Sequence, residues 1–145
     1  MIIKNKYPLV AVVVALSGCA AYQETWLNRG HGNVVIKDDH IHCYSDANLI
    51  DGERLGSTIC ATRTSGFLGD GEPRIEFGPY GRRLMWTLAT DSLKGKDAEW
   101  HGINFHLQCT KISSESTGKD IGRNCKVTAS AQHLMSANFI FSPEE

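Results

Sequence analysis

Two histidines two residues apart, His40 and His42, follow Asp38 and Asp39 and precede Cys43 in the stretch DDHIHC. On a strand, residues i and i+2 share a face, so the two imidazoles have a spacing that can chelate a metal ion. Cys43 falls on the other face and is wanted for a disulfide, and no third ligand is marked. A solvated strand face is the simpler reading, and no metal or cofactor is expected. The carboxylates Asp70, Glu72 and Glu76 are close in sequence, at the spacing of ordinary loop and strand-edge solvation. No G-x-S-x-G, H-E-x-x-H, P-loop or dinucleotide fingerprint occurs, and nothing local sets a nucleophile beside a base. The chain is therefore expected not to be an enzyme. Tyr80, Arg82 and Arg83, in GPYGRRLMW, are the candidate partner-binding residues, because Tyr and Arg dominate interface hot spots. An ordinary turn with solvated arginines is the competing reading. Trp100 is expected to cap the core.

The elements that would position these residues begin after an export signal. Lys4 and Lys6 give a positive start, Leu9 to Leu16 form a short apolar core, and Ser17 and Gly18 precede Cys19. Eight to ten apolar residues are too few for a membrane-spanning helix, which needs roughly 20. Leu16-Ser17-Gly18-Cys19 resembles the lipobox of bacterial lipoproteins. That resemblance implies cleavage before Cys19, a diacylglycerol on its sulfur and a fatty acid on the new amino terminus. Two or three chains, each burying CH₂ groups at about 0.8 kcal/mol apiece, anchor the protein stably. Ala20, where an Asp would retain the protein elsewhere, is similar to lipoproteins sorted to the outer membrane. The expected organisation is a signal peptide over 1–18, a polar tether over 19–32 and one domain over 33–145. The domain is expected to face the periplasm from the outer membrane.

Without residues 1–18 the chain has 127 residues, enough for one domain. It loses two lysines and no acids, which leaves 13 basic against 16 acidic residues and a net charge of −3. No basic stripe appears, so nucleic acid is not an expected partner. A chain that is 21% charged and 41% hydrophobic has the composition of a folded globule. Four cysteines remain: Cys43, Cys60, Cys109 and Cys125. In an oxidising compartment they are expected to form two disulfides, and no C-x-x-C suggests zinc. Of three connectivities, the local pairs 43/60 and 109/125 are favoured, each bracketing one polar loop; the nested pairing stays open.

Alternation of apolar and polar residues then predicts the domain. NVVIK-DD-HIHCY reads as a hairpin about Asp38-Asp39, with Val34, Ile36, Ile41 and Cys43 on one side. DANLIDGERLG reads as a connection with a short turn of helix around 48–52. STICATRT, RIEF (Ile75 and Phe77 inward) and RLMWTLAT (Leu84, Trp86 and Leu88 on one face) read as strands. DSLKGKDAE reads as a charged loop. WHGINFHLQCTKI puts Ile103, Phe105, Leu107 and Cys109 inward, CKVTAS groups Cys125, Val127 and Ala129, and LMSANFIFS groups Phe139 and Phe141. The expected fold is all-β: a small antiparallel β-sandwich-like domain of seven or eight short strands. The loops 65–73, 78–83 and 113–122 are expected to carry contacts.

A lipidation site, a short tether and V-x-I-x-D-D-x-x-x-C resemble a set of small envelope lipoproteins identified as immunity proteins of type VI secretion systems. NVVIKDDHIHCYSDANLIDGERLGSTI and the closing SANFIF carry the likeness. It implies a protein that binds an envelope-targeting toxin or hydrolase stoichiometrically and blocks it. Two other classes are compatible with the residues: an inhibitor of host lysozyme, and a structural or assembly lipoprotein of an envelope complex. The sequence does not decide the oligomeric state.

Overall fold

Three two-residue hairpin turns each place both residues in the left-handed region: Asp51-Gly52 (φ 51° and 81°), His101-Gly102 (50° and 77°) and Ser130-Ala131 (48° and 61°). Two positive φ values in a two-residue loop make the mirror-image turn whose twist matches that of paired strands. The computed structural model describes residues 25–64, 66 and 71–141. Nine strands occur among the described residues: β1 Gly32–Val35, β2 His42–Ile50, β3 Glu53–Thr62, β4 Arg74–Pro79, β5 Met85–Leu88, β6 Lys96–Trp100, β7 Ile103–Ser113, β8 Asp120–Ala129 and β9 Gln132–Ile140. One 3₁₀ turn, Asp91–Lys94, lies between β5 and β6. The turns above join β2 to β3, β6 to β7 and β8 to β9.

The strands form two sheets, ordered β1-β9-β8-β7-β6 and β2-β3-β4-β5. Every pairing is antiparallel except β1 with β9, which is parallel. Alternate residues of each sheet meet in a shared core. Leu55, Ile59, Ala61, Ile75, Phe77 and Met85 come from one sheet, and Phe105, Leu107, Val127, Ala137 and Phe139 from the other. The Phe77 and Phe105 rings meet between the layers, 5.4 Å apart. The domain is thus all-β and sandwich-like, as its alternation predicts.

The disulfides join Cys43 to Cys60 and Cys109 to Cys125, each across directly opposed positions of adjacent strands. They sit in different surroundings. Cys109 and Cys125 are 1% and 0% exposed in the core, whereas Cys43 is exposed and Cys60 half-buried on the outer face of the smaller sheet.

That outward placement corrects the hairpin expected about Asp38-Asp39. β1 does not pair with β2; it pairs with β9, while β2 pairs with β3. Ile36 N–H continues the β1–β9 ladder to Ile140 O at 2.9 Å, and the chain then crosses to the other sheet. The Asp38 carboxylate organises the crossing by accepting from His40 N–H at 3.0 Å and from His42 Nε2 at 2.7 Å. Ile36 is buried as expected, but Ile41 and Cys43 are exposed. Two further expectations change. Residues 46–56 are no connection but the heart of the β2–β3 hairpin. The charged segment 91–99 holds the 3₁₀ turn and most of the edge strand β6. On β5 the core-facing residues are Met85 and Thr87, 4% and 5% exposed, while Trp86 on the opposite face is 49% exposed.

The domain also extends further towards the amino terminus than 33. Asn28 N–H donates to Ala47 O at 2.7 Å and Arg29 N–H to the buried carboxylate of Asp46 at 2.8 Å, so this part of the 19–32 segment lies along the β2 edge. An edge strand covered in this way has fewer unpaired backbone groups to offer another chain.

Candidate functional site

The Tyr80-Gly81 turn follows β4, and its geometry is forced by a close backbone approach. A Cβ on Gly78 would lie 1.0 Å from Arg82 O, so only glycine lets the chain fold back here. Tyr80 adopts φ 51°, an uncommon conformation for a bulky residue. Two bonds hold it: its N–H donates to Gly56 O at 2.8 Å, and its hydroxyl donates to Arg54 O at 3.0 Å. The side chain remains 56% exposed.

From Tyr80 a ladder of rings and cations runs in two directions. On one side the Tyr80 ring packs at 5.8 Å on Trp100, which stacks at 3.9 Å on the His101 ring of the β6–β7 turn. On the other lies Arg54 of β3, whose guanidinium stands 4.8 Å from the Trp26 ring centroid and whose Nε donates to Trp26 O at 3.1 Å. Trp26 also carries Arg29 at 5.3 Å, and Arg29 reaches the Tyr44 ring at 5.8 Å. Cation–π contacts of this kind are worth about 0.5–1 kcal/mol at exposed sites. Tyr44 closes the ladder by donating its hydroxyl to Gly30 O at 2.7 Å. Burial, and secondarily the Asp46 carboxylate, raises the Tyr44 phenol above its ordinary pKa, so it stays a neutral donor.

Two concavities flank Arg54. One, of about 280 Å³, is lined by Trp26, Ser45, Arg54, Gly56 and Tyr80 among others. The second, of about 320 Å³, is lined by Ile50, Glu53, Arg54, Tyr80, Trp100 and His101 among others. Between them, Arg54 Nη2 is buried with no hydrogen-bond partner among the described residues. Leaving a buried donor unsatisfied costs about 1–3 kcal/mol.

The three candidates named from sequence part company here. Tyr80 belongs to the ladder. Arg83 lies 3.3 Å from Glu76, which also holds Arg74 at 3.0 Å; Arg82 is exposed. Arg82 and Arg83 line a neighbouring concavity of about 220 Å³ with Ile41, Cys60 and Glu76. The expected contact loops do not converge. The 78–83 turn lies with the β2–β3 and β6–β7 turns, through Arg54 and Trp100. The loop after β7 lies near the β5 end, where Arg123 binds both Asp120 and Ala89 O. Much of 65–73 falls outside the described residues, as do Asp70, Cys19 and the signal segment.

Of the other two carboxylates singled out in the sequence, Glu72 accepts from Thr90 and Glu76 is bound by two arginines. At the crossing segment Asp38 engages both His40 (3.3 Å) and His42 (2.7 Å), and these contacts hold its carboxyl down at about 2. No group of three or more His, Cys, Asp or Glu side chains among the described residues could hold a metal ion.

Trp26, Arg29 and Arg54 were not expected here, because 19–32 reads as a tether and 46–56 as a connection, and Tyr44 was placed at the end of the hairpin read over 33–44. Asp51-Gly52 between Ile50 and Glu53 was the usable signal. Read as a hairpin turn, it puts Arg54 on the strand face opposite Leu55. No family model matches the chain, and comparisons with curated proteins and with solved structures gave no match.

Proposed function

We propose that this protein is a lipid-anchored binding protein of the outer membrane that neutralises an envelope-targeting toxin or hydrolase by occupying it, in the manner of an immunity protein. It acts without catalysis. The observation that carries the reading is the ladder around Arg54 and Tyr80: tryptophan, tyrosine and arginine, the residue types of interface hot spots, gathered on one face of a disulfide-linked scaffold. A rigid surface of this type loses little conformational entropy on association, which favours tight stoichiometric complexes.

The lysozyme-inhibitor alternative draws on the net charge of −3 carried by residues 19–145, which would steer the domain towards a basic enzyme. The arginines of the candidate face argue against that alternative, since they would meet a basic cleft with like charge.

The decisive experiment deletes the gene and exposes the cells to toxin-bearing neighbours. Loss of survival, restored by the wild-type gene and not by a Tyr80→Ala/Arg82→Ala/Arg83→Ala variant that still folds, supports the reading. Unchanged survival, with no partner recovered from cross-linked envelopes, refutes it and favours a structural role.

A further inference from the structure

We propose that the ladder recognises an acidic side chain, Asp or Glu, presented by the protein partner, with Arg54 as the group that receives the carboxylate. This rests on the binding reading above and names the chemistry of its ligand.

Arg54 lines both flanking concavities, so an entering group meets it from either side. Its guanidinium has five donors and no acceptor, and it cannot shed its charge. The Nε–H is used on Trp26 O, and Nη2 has no acceptor among the described residues. Stacking on Trp26 and the Nε bond hold the planar fork in place before a ligand arrives, as two-point recognition of a carboxylate requires.

The charge around it agrees. Arg29 and Arg54 stand on this surface and Arg82 beside it. Of the nearby carboxylates, Asp46 is buried under backbone N–H groups and Glu76 is held by Arg74 and Arg83. Glu53, on the rim of the second concavity, would oppose an acidic ligand. The face is therefore locally positive on a domain whose net charge is negative.

Saccharides, the other ligands of aromatic surfaces in an envelope, fit less well. Their binding uses free ring faces, yet Trp26 carries two guanidiniums and Trp100 carries the His101 ring. The rings brace the arginines rather than offer a platform.

The test is a titration of the ¹⁵N-labelled full chain, in non-ionic detergent micelles, with acetyl-Gly-Glu-Gly-amide, its Gln counterpart and an N-acetylglucosamine trimer. We expect the Arg54 Nε–H and Trp26 indole resonances to shift saturably with the Glu peptide, and at least about tenfold more weakly with the Gln peptide. Arg54→Lys, which keeps the charge and loses the fork, should weaken the Glu response several-fold, and Arg54→Ala should abolish it. Equal responses to Glu and Gln, shifts of the same resonances by the saccharide alone, or equal shifts at Lys111 and Lys126 would each overturn the inference. The wild-type titration decides even if a variant misfolds. Saturable Glu binding in a protein whose loss leaves toxin survival unchanged would uphold the acidic-ligand site and refute the immunity reading. A toxin complex whose affinity is indifferent to Arg54→Lys and to Arg54→Ala would do the reverse.

Discussion

The two disulfides have nearly equal loop lengths, 17 and 16 residues, so chain entropy assigns them the same value of about 3 kcal/mol each. Their surroundings are opposite, and that predicts an ordered reduction. Cys43 is exposed and Cys60 half-buried, so a thiolate can reach this bond in the native state. Cys109 and Cys125 are 1% and 0% exposed, so their bond becomes reachable only when β7 and β8 open. For a domain stable by about 5 kcal/mol the open population is on the order of 1 in 10³ to 10⁴, and the buried bond should be reduced slower by a similar factor. Loss of the first bond would narrow the gap, because removing about 3 kcal/mol from such a domain raises the open population more than a hundredfold. The assay is a time course in mild reductant without denaturant, quenched with an alkylating agent and mapped by peptide mass spectrometry. An intermediate alkylated at Cys43 and Cys60 alone should accumulate, with the far-ultraviolet spectrum unchanged. Equal rates for the two bonds, or earlier loss of Cys109–Cys125, would refute the burial argument.

The burial of Met85 on β5 predicts that Met85→Ala costs about 2–5 kcal/mol in urea denaturation. Trp86→Ala, 49% exposed and contacting Lys96, should stay within about 1 kcal/mol. Asp38, with its carboxyl depressed to about 2 by His42 and His40, is bound in its ionised form. Its contribution should be fully present above the unfolded carboxyl value near 3.8 and be lost as pH falls through about 2. A carboxyl ¹³C titration should show that low midpoint, and His42→Ala should bring it back towards the ordinary value. Finally, Cys19→Ser should leave an uncleaved precursor that takes up no palmitate analogue; normal labelling would remove the lipid anchor from the account.

Sequence legibility followed the range of the interactions. Phe105 through Cys109 and Cys125 through Ala129 lie on strands whose apolar residues alternate with more exposed polar ones, and simple alternation located them, as it did Ile75 and Phe77 on either side of Glu76. The partner of β1 was not legible, because parallel pairing with β9 leaves no turn between them to read, and the pattern of 34–43 fits a hairpin equally well. Polar composition misled at 46–56, where Asp46 is buried yet satisfied by the N–H groups of Ala47 and Arg29. For the candidate site, Tyr80 was visible as an aromatic residue at a glycine-rich turn. Its neighbours Trp26, Arg54 and Trp100 come from three separate segments, and only the packed sheets bring them together.

The parallel pairing of β1 with β9 also constrains the order of assembly. Asn33 and Asn138, which share a side-chain hydrogen bond across these strands, are 105 residues apart. Until residues 137–140 are available, β1 has no sheet to join, whereas the hairpins β2–β3, β6–β7 and β8–β9 need only their own short turns. Closing so long a loop comes at an entropic cost before any contact rewards it, and such non-local pairings slow folding. A chain emerging amino terminus first would therefore hold its first strand unpaired until nearly all the rest had arrived, although the segment before it can already lie along β2. The first strand to emerge is the last to pair.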